Sequence, residues 1–552
     1  MREVLITYLL SFALLTVLSA QTNWYVAPNG SDANGYGSLT APFATIAYAA
    51  EKAGPGDSVL VRSGVYRNSD FDDGDIWKGS NAVKITAHGA PGNYITFMPY
   101  QDEEVKIEFD GTYGVLLSNS SYLKFMGFEV KGIADQIAQS DAEAAWGLYK
   151  TQDGSIHDLA EEMGVDPTDP AIIGSVIDKP ATPNISKPNY FNGRGIVANS
   201  SHHIEIIGNI VRDVPSSAIR SQQSDYVTIR GNEVFGNTYW TTQGVGAITV
   251  AEAMPIDNQT TVKIILEKNQ VHHNENRLIS WAPSKDFVKF VIDEGTGLFL
   301  TRNADTYTHG QIGVFNNISY YNGASGIVCH KTNGAVIEHN TVYKNGTTNH
   351  GSTGGIALNT ANDVKILNNI AYAVPEKFAL GWLSSPGANV IVSNNLLFNE
   401  NGSEDIHRNM PDGWMEDNPL FVNGPAGNFR LTANSPAVDA GATFATQTDD
   451  IEGSPRNDGL PDMGAYEYFS TSTHSTKSPR ISVFPNPFRS QMVVKGVFQA
   501  EDIRLFHQTG QDLTKEIFME QSFGEIVVSC PTLMPGVYFL KVKNRVILLL
   551  KV

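Results

Sequence analysis

Seven segments of the chain share one pattern of apolar and polar positions: Ile204–Asn209, Val227–Asn232, Ile264–Asn269, Ile312–Asn317, Ala335–Asn340, Val364–Asn369 and Val390–Asn395. Each reads apolar-x-apolar-x-x-Asn, and most continue with a further apolar position two residues on, as at Val211, Val234, Val271 and Val342. A shorter apolar stretch precedes most of them, beginning at Gly195-Ile196, Ala218-Ile219, Ala247-Ile248, Gly297-Leu298, Gly326-Ile327 and Gly355-Ile356. Alternation of period two puts the apolar side chains of a strand on one face. The Asn-to-Asn spacing is 23 at its shortest and 48 at its longest, the mark of a solenoid with insertions. The pattern therefore predicts an all-β, right-handed parallel β-helix with three short strands per coil: a Gly-Ile strand, an Ile-x-Ile strand and a short strand after the Asn. Coils would stack about 4.8 Å apart. Asn tolerates the left-handed backbone region, so it suits the bend, and the stacked Asn side chains would form a ladder.

The ends read differently. Arg2, the apolar run Val4–Leu18 and the small pair Ser19-Ala20 make residues 1–20 a secretory signal peptide; the run is short of the roughly 20 residues a membrane span needs. The β-helix is expected over 21–468, with a short amphipathic capping helix over Ala41–Ala53, a long insertion at 133–193 and a closing coil at 401–468, where Asp439, Arg456 and Asp462 read as cap structure. A polar linker at 469–479 leads to alternating strands over 480–552, a small β-sandwich.

Charge narrows the partners. The net charge is −19, and residues 477–552 are net basic, leaving about −23 on the rest. That disfavours nucleic acid, which requires a basic footprint. It also disfavours a polyanion unless Ca²⁺ or a local basic patch compensates. The two cysteines, Cys329 and Cys530, are too far apart in sequence to suggest a disulfide framework.

Two resemblances follow from particular residues. Trp24-Tyr-Val-Ala-Pro-Asn-Gly-Ser-Asp32, Pro42-Phe-Ala-Thr-Ile46 and Gly64-Val-Tyr-Arg67, with Ser435-Pro-Ala-Val-Asp439 and Asp462-Met-Gly-Ala-Tyr-Glu-Tyr468, resemble the caps of secreted β-helix polysaccharide lyases of the family nine pectate lyase type and related glycoside hydrolases. Phe484-Pro-Asn-Pro-Phe488, Gly536-Val-Tyr-Phe-Leu-Lys-Val542 and the Lys551-Val552 ending resemble the sorting domain of the type IX secretion system. The first resemblance implies a polysaccharide substrate, with a Lys base and a calcium site of several Asp. The coil at Asn322–Gly326 lacks the Asp pair such a site uses, so the metal site does not transfer as a whole. The second implies export to the cell surface of a Gram-negative bacterium through the type IX machinery. The expected partners are a polysaccharide and that machinery, with no membrane span and no second subunit.

The insertions at 133–193, 236–245, 252–261, 272–295 and 302–311 all flank the Gly-Ile strand. Insertions on one face of a repeat array mark a binding face. With Ile196, Ile219, Ile248, Leu298, Ile327 and Ile356 inward, alternation turns Arg220, Thr249, Phe299, Thr301, His330 and Asn359 outward, with Glu252, Arg302 and Lys331 at the strand ends. The candidate catalytic set is Arg220, Glu252, Glu294, Arg302, His330 and Lys331. Trp240, Trp281, Phe299, Tyr307 and Asn359 are candidate sugar contacts. Asp293 and Glu294, and separately Asp70, Asp72, Asp73 and Asp75, are candidate Ca²⁺ ligands, although the latter spacing fails the EF-hand pattern. Two chemistries fit: β-elimination, using a basic side chain and a cation that neutralises a uronate carboxylate, or hydrolysis by paired carboxylates such as Glu252 with Asp293 or Glu294. A non-catalytic glycan-binding or adhesive surface protein is the rival of another class.

Overall fold

The computed structural model describes residues 21–145, 190–278, 295–348, 353–400 and 406–469 apart from 76, 243 and 385, most of 490–551, and short pieces at 164, 176–177, 288–289, 292 and 482–484. The signal segment 1–20, Trp281, Asp293 and Glu294 lie outside the described residues. The chain divides into two compact units, Met1–Tyr468 and Phe469–Val552.

The first unit is a β-helix of three parallel sheets. The Ile-x-Ile sheet has 11 strands, running from Asn23–Val26 to Ile391–Ser393. The Gly-Ile sheet has 10, from Asn81–Ile85 to His407–Arg408, and the third sheet has 11, from Gly64–Arg67 to Trp414–Glu416. Register keeps like with like: Ile196, Ile219, Ile248, Leu298, Ile327, Ile356 and Leu380 pair in succession and are buried in one core.

The predicted Asn ladder is present as one column. Each Nδ2 donates to the next Oδ1, from Asn209 to Asn232 (3.0 Å) through Asn269, Asn317, Asn340 and Asn369 to Asn395 (2.9 Å). The left-handed residue, however, is the one before the Asn: Gly208, Gly231, Lys268, Asn316, His339, Asn368 and Asn394 all have positive φ. The Asn works through its side chain, which satisfies backbone groups that the bend leaves without strand partners. The same device recurs at the other two corners. Asp213, Gly236, His273, Tyr321 and Lys344 are left-handed, and a second Asn column follows them, Asn237–Asn274–Asn322–Asn345. Ser200, Gln223, Glu252, Arg302, Lys331 and Thr360 turn the corner after the Gly-Ile sheet, above a buried column that includes Ser201, Ser224, Asn303 and Thr332.

The entry is capped by the helix Ile46–Lys52, shorter than the stretch expected because Thr45 caps it, accepting from the Tyr48 amide at 3.1 Å. The expected closing coil divides in two. His407–Arg408 and Trp414–Glu416 complete the last coil, whereas 417–468 folds back as a strap along the outside of the third sheet and the Asn corner. Phe429 and Tyr466 pack on Ile318, Tyr343 and Tyr372, and Leu431 and Met463 on Ile370 and Leu396. Within the strap Arg456 pairs with Glu467 at 2.8 Å, both buried, and Asp462 receives the Asp439 amide, so these three organise the strap on the flank of the β-helix and not a cap at its end.

The second unit holds a four-stranded and a three-stranded antiparallel sheet that share a core including Met492, Leu505, Val528, Leu540 and Leu549. Among the described residues no helix is long and apolar enough to cross a membrane.

Candidate active site

The Gly-Ile sheet carries two outward columns and a corner column, and they differ in access. The first outward column, Val197–Arg220–Thr249–Phe299–Val328–Ala357, follows directly from register and is buried throughout. The floor expected to meet a substrate is therefore covered. Access begins at the second column, where Asn199, Gln222, His330 and Asn359 are part-buried, and opens at the corner, where Gln223, Arg302, Lys331 and Thr360 are exposed.

At that edge the candidate groups come together. Arg220 Nε donates to Gln222 Oε1 (2.8 Å), Gln222 Nε2 donates to Glu252 Oε2 (3.1 Å), and Arg302 Nε meets Glu252 Oε1 at 3.2 Å. Burial, with the charges of Arg194 and Arg302, pulls Arg220 down to about 9. One coil beyond Arg302, His330 Nδ1 lies 2.9 Å from Thr301 Oγ1 and its ring stacks on Phe299. Its neighbour in register is Asn359, whose Oδ1 accepts from Ser384. Lys331 projects from the next corner position and forms no ion pair among the described residues. Its left-handed backbone recurs at this corner on the coils of Ser200, Gln223, Glu252, Arg302 and Thr360, so it marks architecture and not stored strain.

Three expected sugar contacts are structural. Trp240 is 1% exposed and its indole N–H donates to the Ala134 carbonyl at 2.9 Å. Insertions at that edge pack on one another, with Arg277 over the Tyr239 ring and Gln139 on the Arg277 carbonyl. Val176–Ile177 and Val288–Lys289 pair as an antiparallel ribbon, joining the 133–193 and 272–295 insertions. Tyr307 is 3% exposed and donates to Asp225 Oδ1 (2.7 Å), which is itself paired with buried Lys263. Phe299, although outward, is 3% exposed among Val328 and Ala357. None of the three offers a ring face to a ligand.

The acidic turn does not suit Ca²⁺ either. Lys78 Nζ fills its centre, on Asp73 Oδ1 (2.6 Å), Asp110 Oδ2 (3.0 Å) and the Asp70 carbonyl (2.5 Å). Asp70 accepts from Asn68, while the Asp75 carboxylate caps the Trp77 amide and the Asp72 amide is turned to Asp110. An ammonium thus occupies the place a cation would take. Among the described residues no three His, Cys, Asp or Glu side chains gather as metal ligands.

Gln222 belongs to this edge, while Arg194 and Tyr113 lie at the other end of the same sheet, where the strands begin; none of the three was singled out from sequence. Gln222 was legible, since the alternation that turns Arg220 outward turns Gln222 outward too. Arg194 opens its strand beside Tyr113 in register, at a position before the inward repeat begins, where alternation makes no prediction.

Stretches of the chain are similar to known proteins. Residues 24–159 match the family model described as the Pel9A-like, right handed beta helix region, and residues 482–549 match the secretion system C-terminal sorting domain. An uncharacterized Bacillus subtilis (strain 168) protein, YwoF, is 35% identical over 98 residues, which is 18% of this chain and 17% of that one. Among solved structures, the pectate lyase Pel9A is similar at 15% identity and a TM-score of 0.44, covering 82% of this chain and 97% of that one. The GH136 lacto-N-biosidase from Eubacterium ramulus is similar at 14% identity and a TM-score of 0.38, covering 72% and 67%. The chain is a right-handed parallel β-helix carrying a type IX sorting domain, and it is secreted or displayed at the cell surface.

Proposed function

We propose that the protein is a polysaccharide-active enzyme, a lyase that cleaves a uronate-containing chain by β-elimination along the corner edge from Arg220 to Lys331. The observation that carries this reading is the charge of that edge. In a body of net charge about −23, Arg220, Arg302 and Lys331 lie within a few coils of one another, and Glu252 is the one carboxylate among the described residues bonded into the group. A local cationic surface draws an anionic chain against the field of the whole molecule. The Pel9A-like match supports the scaffold class; it ends at residue 159, before any catalytic candidate, so the chemistry rests on the edge itself.

In this reading Arg302 neutralises the carboxylate of the reacting uronate, which acidifies the proton on the carbon beside it. Lys331 is the base that takes that proton. The electron pair forms the new C=C bond as the glycosidic C–O bond breaks, and the leaving oxygen takes a proton from His330 in this reading. Arg302 is the cation this reading uses on the uronate carboxylate; among the described residues no three His, Cys, Asp or Glu side chains gather as metal ligands. Hydrolysis would need two opposed carboxylates; among the described residues Glu252 is the one bonded into this edge, held by Gln222 and Arg302. The test is digestion of a polysaccharide panel by the full chain, following both reducing ends and ultraviolet absorbance. Reducing ends with new absorbance from an unsaturated uronate are expected. Reducing ends without it would make the protein a hydrolase, and neither signal with retained binding would make it a glycan-binding surface protein.

A further inference from the structure

A recess of about 250 Å³ opens on another face of the body, between the outer side of the Ile-x-Ile sheet and the strap. Register turns Val336, Lys365 and Ile391 outward in one column, and Glu338 and Leu367 in the next. Phe444 of the strap completes the wall. Glu338 fixes the strap there: its Oε2 accepts from the Thr446 amide (2.9 Å) and hydroxyl (2.7 Å). Phe444 is 64% exposed and Ile391 about half exposed, an uncovered apolar surface at the mouth of the recess. Glu338, by contrast, is 1% exposed, and a buried charge is costly unless it is matched. Elsewhere on this sheet outward charges pair with one another, Lys124 with Glu205 and Arg230 with Glu205 and Glu267. Glu338 and Lys365 line one recess from neighbouring strands and form no ion pair among the described residues. The lining residues are all described, and none belongs to the 133–193 or 272–295 insertion.

We infer that this recess is a second glycan-binding site, which takes one neutral, hydroxylated sugar unit away from the corner edge. The chemistry of its wall selects that ligand. One carboxylate and one ammonium leave the wall without net charge, so an anion would meet Glu338 and a cation would meet Lys365. A sugar hydroxyl can donate to the carboxylate, while Lys365 and Gln311 can donate to sugar oxygens. The C–H face of a sugar ring is apolar and packs on an aromatic ring and an aliphatic floor, here Phe444 with Leu367 and Val336. The volume is below the roughly 300–1,000 Å³ of pockets that enclose drug-sized ligands, room for one sugar ring and not for a chain. Val336 and Lys365 each follow the corner residues Lys331 and Thr360 by five positions, within about 17 Å at the rise of a strand. The recess therefore lies on the face next to the corner edge and touches no reacting atom. Only the glycan ligand class rests on the proposed function; the lyase chemistry plays no part.

The experiment is calorimetric titration of the full chain with uncharged galacto-, arabino-, xylo- and manno-oligosaccharides, with oligogalacturonate as the charged control. At least one uncharged series should bind the wild-type protein. Phe444→Ala should weaken that binding about tenfold, and Phe444→Trp should retain it. Lys365→Met should weaken it about two- to tenfold, the worth of one hydrogen bond. Both side chains are exposed, so melting should stay unchanged in all three variants, which separates loss of ligand from loss of fold. Lys331→Ala, at the corner, should leave uncharged binding as it is. Failure of every uncharged series to bind, binding that survives both Phe444→Ala and Lys365→Met, uncharged binding lost in Lys331→Ala, or a dimer that Phe444→Ala dissolves would each overturn the inference. Uncharged binding that depends on Phe444 in a protein that cleaves no polysaccharide would sink the enzyme reading and leave the site standing.

Discussion

Lys331 and His339 occupy left-handed corner positions on the same coil, with φ of 44° and 55°, and what separates them is what each side chain meets. Lys331 stands in solvent beside His330 and Arg302, so its truncation costs little stability. Both Lys and Ala carry a Cβ, so the backbone strain is the same before and after. Lys331→Ala should lower turnover by roughly 10²–10⁴-fold, the usual worth of a general base, with melting nearly unchanged. Equal turnover on a confirmed substrate would remove Lys331 from the chemistry. His339 is buried beneath the strap, where Nδ1 lies 3.1 Å from the Asp462 carbonyl and Nε2 lies 3.0 Å from Asn368 Nδ2. That geometry demands the neutral ring protonated on Nδ1, and burial, then the charge of Arg456, holds its pKa well below 6.5. A depressed folded value means its contribution to stability is complete above about 6.5 and is lost as pH falls toward the folded value. Asp462 and Glu467, raised by burial to about 6 and about 8, pull the other way: their contribution is lost as pH rises through those values. The difference between variants isolates the histidine. Relative to His339→Gln, which keeps one donor and one acceptor, the wild type should lose melting temperature between pH 7.5 and pH 5, a window that brackets the ordinary histidine pKa of about 6.5. Parallel pH profiles would contradict the assignment.

At the scale of the element, the Asn corner does two jobs, and only one was legible. Its inner side is the ladder, read from the recurring Asn because a fixed offset from an alternating strand fixes a side chain's face. Its outer side anchors the strap. Where no strap lies above, the left-handed position is Gly208 or Gly231. From the coil of Lys268 onward it carries a side chain, and Lys268, Asn316, His339, Asn368 and Asn394 each bond to the segment from Ala440 to Asp462. That change from Gly to polar residues was visible in the sequence, but it points to a partner without saying which. The covered floor was hidden for a related reason: alternation gives a direction, and burial depends on what an insertion packs against, which no repeat encodes. Asn368 exchanges two bonds with Ala442, at 2.7 and 3.1 Å, besides its contact with His339. Asn368→Gly removes those bonds yet suits the positive φ, so strain does not confuse the result. It should destabilise the body by about 2 kcal/mol, two or three buried hydrogen bonds' worth, and speed amide exchange across 437–468 before the coils themselves open. Unchanged exchange in that segment would show that the strap is held by its apolar contacts alone.

The whole molecule pairs an acidic solenoid with a separate, net basic C-terminal unit. Each closes its own hydrophobic core. The solenoid's runs from Val26 to Met410, and that of the tail begins at Met492. A solenoid is stabilised by contacts between neighbouring coils, so removing a unit that contributes no strand to its sheets leaves those contacts in place. The match of 482–549 to a secretion sorting domain gives the tail its role as an address. Deletion of 480–552 should therefore separate folding from delivery. The truncated body should melt within a degree or two of the corresponding transition in the full chain, a shift well under about 1 kcal/mol, and should keep whatever glycan activity the full chain has. In cells it should accumulate in the periplasm, protected from protease added outside, while the full chain is released or digested at the surface. Normal surface delivery of the truncated protein would refute the address. A body that unfolds without its tail would refute the independence of the two cores.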